Sequence, residues 1–289
     1  MDPQKPVLIA GPTASGKSEL ALRIAEAQGG VVVNADAIQV YANWRVLTAR
    51  PSQADEARAQ HVLYGHVAGD VPYSVGDWLR DLEHVLTAGA RPIIVGGTGL
   101  YFTALTEGLA QIPATPDEIR QTAMQRIDTE GHAGLVDELD LKTRNRIDTA
   151  NPMRVQRAWE VLTHTGKGLA DWQETTAPPR LPLSAVTPLV VNAAKDWLTP
   201  RIEARFDRML ETGAMEEAHA NRATWSPDLP SAKAIGAAEL MAVIDGTMTL
   251  QEARDRSTIL TRQFAKRQRT WFRARMQFWQ QVDAAELQS

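Results

Sequence analysis

Gly11-Pro12-Thr13-Ala14-Ser15-Gly16-Lys17-Ser18 follows the spacing G-x-x-x-x-G-K-[ST] and sits between a short apolar run, 7–10, and a segment, 18–27, with Leu20, Leu22, Ile24 and Ala25 at helical spacing. Strand, glycine-rich turn and helix in that order require a parallel sheet with crossover helices. The loop's glycines let backbone N–H groups converge on phosphate oxygens, and the helix N-terminus adds favourable potential. Lys17 neutralises charge, and the Ser18 hydroxyl can ligate Mg²⁺. The competing reading is an ordinary glycine-rich turn before a helix. The motif leaves the phosphate compound open, with a nucleoside triphosphate as the default.

Further short runs rich in β-branched residues, 31–33 and 93–95, read as buried parallel strands, and 189–191 as another. The interval between the last two is too long for one connection within a sheet. It is fenced by Pro113 and Pro116 at one end and by Pro178, Pro179, Pro182 and Pro188 at the other. Inside it, Thr115-Pro116-Asp117-Glu118 predicts a capping box with Pro at the first helical position, and 152–162 predicts a helix stopped by Gly166. The expectation is an α/β core of the phosphate-loop type, helices on both faces, formed by 1–112 and 186–289, with an all-helical insertion at 113–185. After the insertion, Thr199-Pro200 reads as a helix start, 237–244 as a helix, and Thr249-Leu250-Gln251-Glu252 as the capping box of a long last helix.

Two features cluster with the phosphate loop at the carboxyl ends of the expected strands. Asp36 could hold Mg²⁺, act as a general base, or merely start a turn. Gly96-Gly97-Thr98-Gly99-Leu100-Tyr101 offers glycines for tight turning and ligand approach and a hydroxyl at Thr98. The formal net charge is −4, so a nucleic-acid surface must be local. One exists: 256–279 holds seven basic residues and no acidic one, and Arg262, Lys266, Arg269 and Arg273 form a single helical stripe. Leu260, Phe264, Trp271 and Phe278 form another, expected to face the core. The basic stripe favours a polyanion such as RNA over a merely solvated face. Arg144, Arg146, Arg154 and Arg157 inside the insertion suggest a second contact, with the last helix and the insertion gripping one nucleic acid, unless nearby carboxylates such as Glu160 and Asp148 neutralise them. Trp159 and Trp271 read as core. No cysteine is present, which excludes disulfide, Fe–S and thiol chemistry, and no histidine has metal-site spacing. No apolar run suits a signal peptide or membrane span, so a cytoplasmic protein that binds no membrane is expected.

Taken in order, G-P-T-A-S-G-K-S at 11–18, D-A-I-Q-V-Y at 36–41, G-G-T-G-L-Y at 96–101, N-P-M-R-V-Q-R-A at 151–158, R-I-E-A-R-F at 201–206, A-I-G-A-A-E-L at 234–240 and T-R-Q-F-A-K-R-Q-R-T-W-F-R at 261–273 resemble the tRNA dimethylallyltransferases. The resemblance implies transfer of a dimethylallyl group from dimethylallyl diphosphate to the exocyclic N6 amine of the adenosine 3′ of the anticodon, with Mg²⁺, releasing diphosphate. It implies that Gly11, Pro12, Thr13, Ala14, Ser15, Gly16, Lys17 and Ser18 hold the leaving diphosphate, with Ser18 on the metal. By the same resemblance Asp36 is the general base, Thr98 lies near the reaction centre, and Arg205 stabilises the leaving group. Asp36, Ala37, Ile38, Gln39, Thr98, Arg120, Met153, Arg154, Val155, Gln156 and Arg157 then match tRNA-contacting positions, joined by Arg262, Lys266 and Arg269 of the basic stripe. The partner is the anticodon stem-loop, its adenine flipped out, with no obligate protein partner. The chain departs from the family at Ala37 (usually Ser), across 44–51, where M-D-I-G-T-A-K-P becomes W-R-V-L-T-A-R-P, and at Ala237-Ala238 in place of Tyr-Lys. A kinase using ATP accounts for the first hundred residues but not the basic helix, and an RNA-binding protein with a relict loop accounts for the reverse.

Overall fold

A computed structural model describes residues 2–288. The chain runs β1 (Val7–Ala10), α1 (Lys17–Gln28), β2 (Val31–Asn34), α2 (Gln53–Arg58), β3 (His61–Val62), α3 (Val75–Thr87), β4 (Pro92–Gly96) and α4 (Gly99–Glu107). There follow α5 (Asp117–Glu130), α6 (Ala133–Asp137), α7 (Leu141–Arg146), α8 (Pro152–Thr165) and α9 (Leu169–Glu174). The last stretch is β5 (Thr187–Asn192), α10 (Lys195–Glu211), α11 (Ala214–Asn221), α12 (Ala237–Ile244), α13 (Leu250–Arg275) and β6 (Gln280–Asp283).

The strands form one sheet, ordered β3-β2-β4-β1-β5-β6, with every pair parallel. Ile9 of β1 lies opposite Val95 of β4 and Leu189 of β5, so the strand leading to the phosphate loop is paired on both sides. β1, β2 and β4 are buried at every residue, as strands covered on both faces must be. Val7, Ile9, Val32, Ile93, Val95, Leu189 and Val191 point to one face and pack with Ala21 and Ile24 of α1, Leu198 and Ile202 of α10 and Ala265 of α13. Leu8 and Ile94, on the opposite face, are equally inaccessible, and α3 and α4 contribute the buried Trp78, Leu82, Phe102 and Leu105. Trp78 donates its indole N–H to the carbonyl of Asn34 at 2.7 Å, pinning α3 to the end of β2.

Two strands have no apolar signature. β3 is two residues long and half-buried, and β6 is Gln-Gln-Val-Asp, an edge strand attached to β5 by its backbone. Hydrophobic patterning cannot register a strand whose contribution is main-chain pairing. The helix read as starting at Thr199-Pro200 begins at Lys195, and Pro200 lies inside it. The buried Leu198, Ile202 and Phe206 stabilise that helix and offset the hydrogen bond that proline cannot make.

Two compact units divide the chain. One, Glu107–Arg180, holds α5 to α9 and no strand among its described residues. Its core is Ala123, Leu135, Val136, Leu139, Val155, Ala158 and Trp159. Asn151 caps α8 with its side chain and Gly166 stops it in the left-handed region at φ 67°. The capping box at Thr115 does not form: Pro116 occupies the N-cap position of α5 and has no side-chain acceptor, and the Thr115 hydroxyl, one residue outside, accepts from Arg157 Nη1 at 2.7 Å. The sheet and the remaining helices make the other unit. Among the described residues no helix is long and apolar enough to cross a membrane.

Candidate active site

β4 lies between β1 and β2, so the loops leaving the carboxyl ends of these strands meet at one edge of the sheet. They open onto a cavity of about 570 Å³ lined by Thr13, Lys17, Ser18, Asp36, Thr98 and Arg205, among others. In the phosphate loop, Gly16 has φ 86° and Ala14 φ 61°, both in the left-handed region, as the tight turn into α1 requires. Gly11 sits tightly: a Cβ there would lie 3.0 Å from that of Val191 on β5 and 3.0 Å from Ser15 Oγ. Ser15 Oγ is buried without a hydrogen-bond partner among the described residues. Lys17 folds back, donating Nζ to the carbonyl of Pro12 at 3.2 Å. Burial, reinforced by nearby Arg205 and opposed by Asp36, lowers its pKa to about 8.

Arg205 enters from α10. Its Nη1 donates to Thr13 Oγ1 at 3.1 Å and its Nη2 to the carbonyl of Thr48 at 3.4 Å, both neutral acceptors. It has no ion pair with a carboxylate among the described residues, and burial lowers its pKa against the pull of Asp36. Two desolvated, mutually repelling cations beside the N-terminus of α1 form a receptor for a multiply charged anion.

The opposite side is built from satisfied groups. The Asn34 side chain accepts from Asp36 N at 2.9 Å and donates to the carbonyls of Asp36 and Leu63, each at 3.0 Å. Asp36 Oδ1 accepts from Ile38 N at 3.0 Å, while Oδ2 has no hydrogen bond among the described residues. Thr98 Oγ1 accepts from Ala37 N at 2.9 Å, tying the turn after β2 to that after β4. Gln39 turns its amide onto the carbonyls of Thr48 and Ala49, at 2.8 and 3.0 Å.

The glycines at and just beyond the end of β4 do not serve turn geometry, since Gly96, Gly97 and Gly99 all lack positive φ. An added Cβ would lie 2.0 Å from the carbonyl oxygen of Ala35 at Gly96, 2.1 Å from Gln268 Nε2 at Gly97, and 2.1 Å from Trp271 Nε1 at Gly99. They make room for the turn after β2 and for α13, which is a wall of the site. This corrects the reading of α13. Its buried face is Ala253, Ser257, Thr258, Ala265, Gln268 and Phe272, whereas Phe264 and Trp271 line the cavity and Phe278, past the helix end, is 93 % exposed. Small residues let the helix approach closely, so its inner face is marked by size more than by hydrophobicity. Gln268 is a site residue that the sequence reading missed. Glu217 is another: its carboxylate accepts the N–H groups of Arg45, Val46 and Leu47, supporting the segment from which Leu47, Thr48 and Ala49 line the cavity.

On the outer side of α13, Arg262 pairs with Glu203 at 3.3 Å, while Lys266, Arg269 and Arg273 have no ion pair among the described residues. In the helical unit, Arg120 pairs with Asp117 at 3.4 Å, Arg144 with Asp137 at 3.5 Å and Arg146 with Glu174 at 2.7 Å. Arg157 is shared between Thr115 and Glu160, and Gln156 donates to Glu160 at 2.8 Å. Arg154 is exposed and without an ion pair among the described residues, and Met153 is 72 % exposed. Val155 is fully buried in that unit's core, so its side chain cannot make the RNA contact expected of it.

No group of three or more His, Asp or Glu suited to a metal occurs among the described residues. The Ser18 hydroxyl and the Asp36 carboxylate are hard oxygen donors on the same cavity, a sparse set that fits Mg²⁺ bound chiefly through substrate phosphates and water.

The profile of the family described as IPP transferase matches residues 39–275, and that described as Isopentenyl transferase matches 5–64. A tRNA dimethylallyltransferase of Ruegeria sp. (strain TM1040) is 60 % identical over 96 % of this chain and 95 % of the relative. One of Paracoccus denitrificans (strain Pd 1222) is 55 % identical over 98 % and 95 %. The crystal structure of the tRNA isopentenylpyrophosphate transferase of Bacillus halodurans superposes with a TM-score of 0.68 at 29 % identity, covering 97 % of this chain and 90 % of that one. A eukaryotic dimethylallyltransferase crystallised while acting on tRNA shares the fold, with a TM-score of 0.79 at 24 % identity over 99 % and 75 %.

Proposed function

We infer the mechanism from one premise: the chain belongs to the IPP transferase family. It is an enzyme that transfers a dimethylallyl group to tRNA, and the acceptor is the exocyclic N6 of the adenosine 3′ of the anticodon. The donor we propose is dimethylallyl diphosphate, and the place of work is the cytoplasm, where tRNA is. One observation supports this choice of donor above all: the cavity joins two unpaired cations, Lys17 and Arg205, to an apolar wall of Leu47, Phe206, Met209 and Phe264, with a carboxylate facing them. An allylic diphosphate has that distribution of charge and grease. ATP would leave its ribose and base against the wall.

In the proposed reaction the diphosphate lies on the phosphate loop with Lys17 and Arg205 as further donors. As N6 attacks the allylic carbon, the carbon–oxygen bond breaks and its electrons pass to the diphosphate, where Lys17 and Arg205 stabilise the growing charge. The nitrogen becomes acidic as it alkylates, and its proton passes to the unoccupied Oδ2 of Asp36. Thr98 holds the Asp36 turn through Ala37 N–H. Mg²⁺, held by Ser18 and the diphosphate oxygens, would supply further neutralisation of the leaving group. For the RNA we propose the unpaired face of α13 (Lys266, Arg269) with Arg262, and Arg120, Met153 and Arg154 on the surface of the helical unit.

The test is a single-turnover incubation with unmodified tRNA, Mg²⁺ and radiolabelled dimethylallyl diphosphate, beside an ATP-hydrolysis assay. Label on the anticodon-loop adenosine without ATP consumption is expected. ATP turnover with unlabelled tRNA would overturn the reading.

A further inference from the structure

We propose that Gln268 of α13 is a positioning residue for this reaction, a single amide that keeps the diphosphate loop and the acceptor loop in register. The inference rests on the function proposed above. Gln268 is 5 % exposed, and an amide removed from water is costly unless each end is satisfied. Both ends are. Oε1 accepts from the backbone N–H of Thr13 at 2.9 Å, and Nε2 donates to the backbone carbonyl of Gly97 at 3.0 Å. The two partners lie on different loops serving different halves of the chemistry.

The bridge continues in both directions. Thr13 passes to Arg205 through its hydroxyl at 3.1 Å, and the residue after Gly97 is Thr98, whose hydroxyl takes the Ala37 N–H at 2.9 Å, next to Asp36. One connected path therefore runs from the cation that meets the leaving group to the turn carrying the base, with Gln268 at its centre. The glycine opposite is explained by the same contact, because at Gly97 a Cβ would stand 2.1 Å from Nε2. Methionine fills the volume with no donor and only a weak sulfur acceptor, and asparagine is a methylene too short.

An amide acting through two loops should affect the geometry between nucleophile and leaving group, where an ångström of misplacement costs about 10²-fold. For Gln268→Met we expect the single-turnover rate at saturating donor to fall by about 10- to 100-fold, with tRNA affinity close to wild type and a lower thermal midpoint, since Thr13 N–H and the Gly97 carbonyl lose their partner. Calorimetry with inorganic diphosphate should show weaker binding in the same variant. Gly97→Ala displaces the amide from the other side and should lower the rate as well. The two losses should not multiply in the double variant, because both break one bridge. A purely structural Gln268 would leave the rate and the diphosphate affinity of the folded protein unchanged, and that result, or multiplying losses, overturns the proposal. Should Gln268→Met fail to fold, Gly97→Ala decides alone: a wild-type rate and diphosphate affinity overturn the bridge. If wild-type protein transfers no label to tRNA, the function reading fails, and the diphosphate calorimetry still reads the bridge: unchanged affinity in Gln268→Met refutes it.

Discussion

On one side of the cavity the charged groups have only neutral partners among the described residues: Lys17 rests on a carbonyl, Arg205 on a hydroxyl and a carbonyl, and burial lowers the pKa of both. On the other side Asp36 is bracketed by Asn34, Ile38 N–H and the Thr98–Ala37 link, with one oxygen left over. The first side is poised for an incoming anion to complete it, and the second is assembled before any substrate arrives. Losses on the acceptor side should therefore appear in the chemical step, and losses on the phosphate side in donor binding as well.

The largest effect expected follows from that contrast. Asp36→Asn keeps the acceptor for Ile38 N–H and removes the base, so the single-turnover rate should fall by about 10²–10⁴ while donor and tRNA affinities persist. A loss confined to donor affinity would erase the distinction between the sides. On the phosphate side, Arg205→Met should weaken diphosphate binding by roughly 10- to 100-fold, the scale of a charge-assisted hydrogen bond, and slow transfer too. Unchanged affinity by calorimetry would mean that Arg205 only props Thr13.

A smaller effect tests the charge on Lys17. With the site empty it titrates near 8, below its ordinary 10.5, and a bound diphosphate should raise that value. Binding then takes up a proton above pH 8, and affinity should weaken with rising pH there, by at most about tenfold per unit for one proton. The fold itself responds with the opposite sign. Between pH 8 and 10.5 the unfolded chain binds more protons at this lysine than the folded one, so its unfavourable contribution fades as pH rises. Calorimetry at pH 7 and 9 in buffers of different ionisation enthalpy measures the uptake, and Lys17→Met should abolish it.

Much of the phosphate side was legible in the sequence, because its recognition depends on local spacing: strand, glycine turn, Lys, Ser, helix. Asp36 and Thr98 were legible as strand-end residues. Gln268 and Glu217 were not, since each acts on a loop far away in sequence through contacts that no periodicity encodes. The glycines of 96–99 carried a true signal with the wrong cause, as the reason for two of them lies on α13. The departures from the family pattern also need the structure. Leu47 stands in place of a glycine and Ala237 in place of an aromatic, and both fall in one buried cluster with Trp44 and Phe206. Leu47 Cδ1 lies 2.8 Å from where a Cβ on Gly236 would be, so bulk gained on one segment occupies room beside that lost on the other.

The smallest effect concerns the outer face of α13. Counterion release makes log affinity for RNA fall with log salt by about 0.7 per phosphate neutralised on a single strand. Lys266 and Arg269 have no ion pair among the described residues, whereas Arg262 already pairs with Glu203 at 3.3 Å and must surrender that partner to meet a phosphate. Lys266→Gln and Arg269→Gln should therefore each flatten the salt slope for tRNA by about 0.7, and Arg262→Gln by less. Three equal slopes would show that the Glu203 pair is immaterial. A slope unchanged by any of them would reassign the stripe to solvent and leave RNA binding to other surfaces.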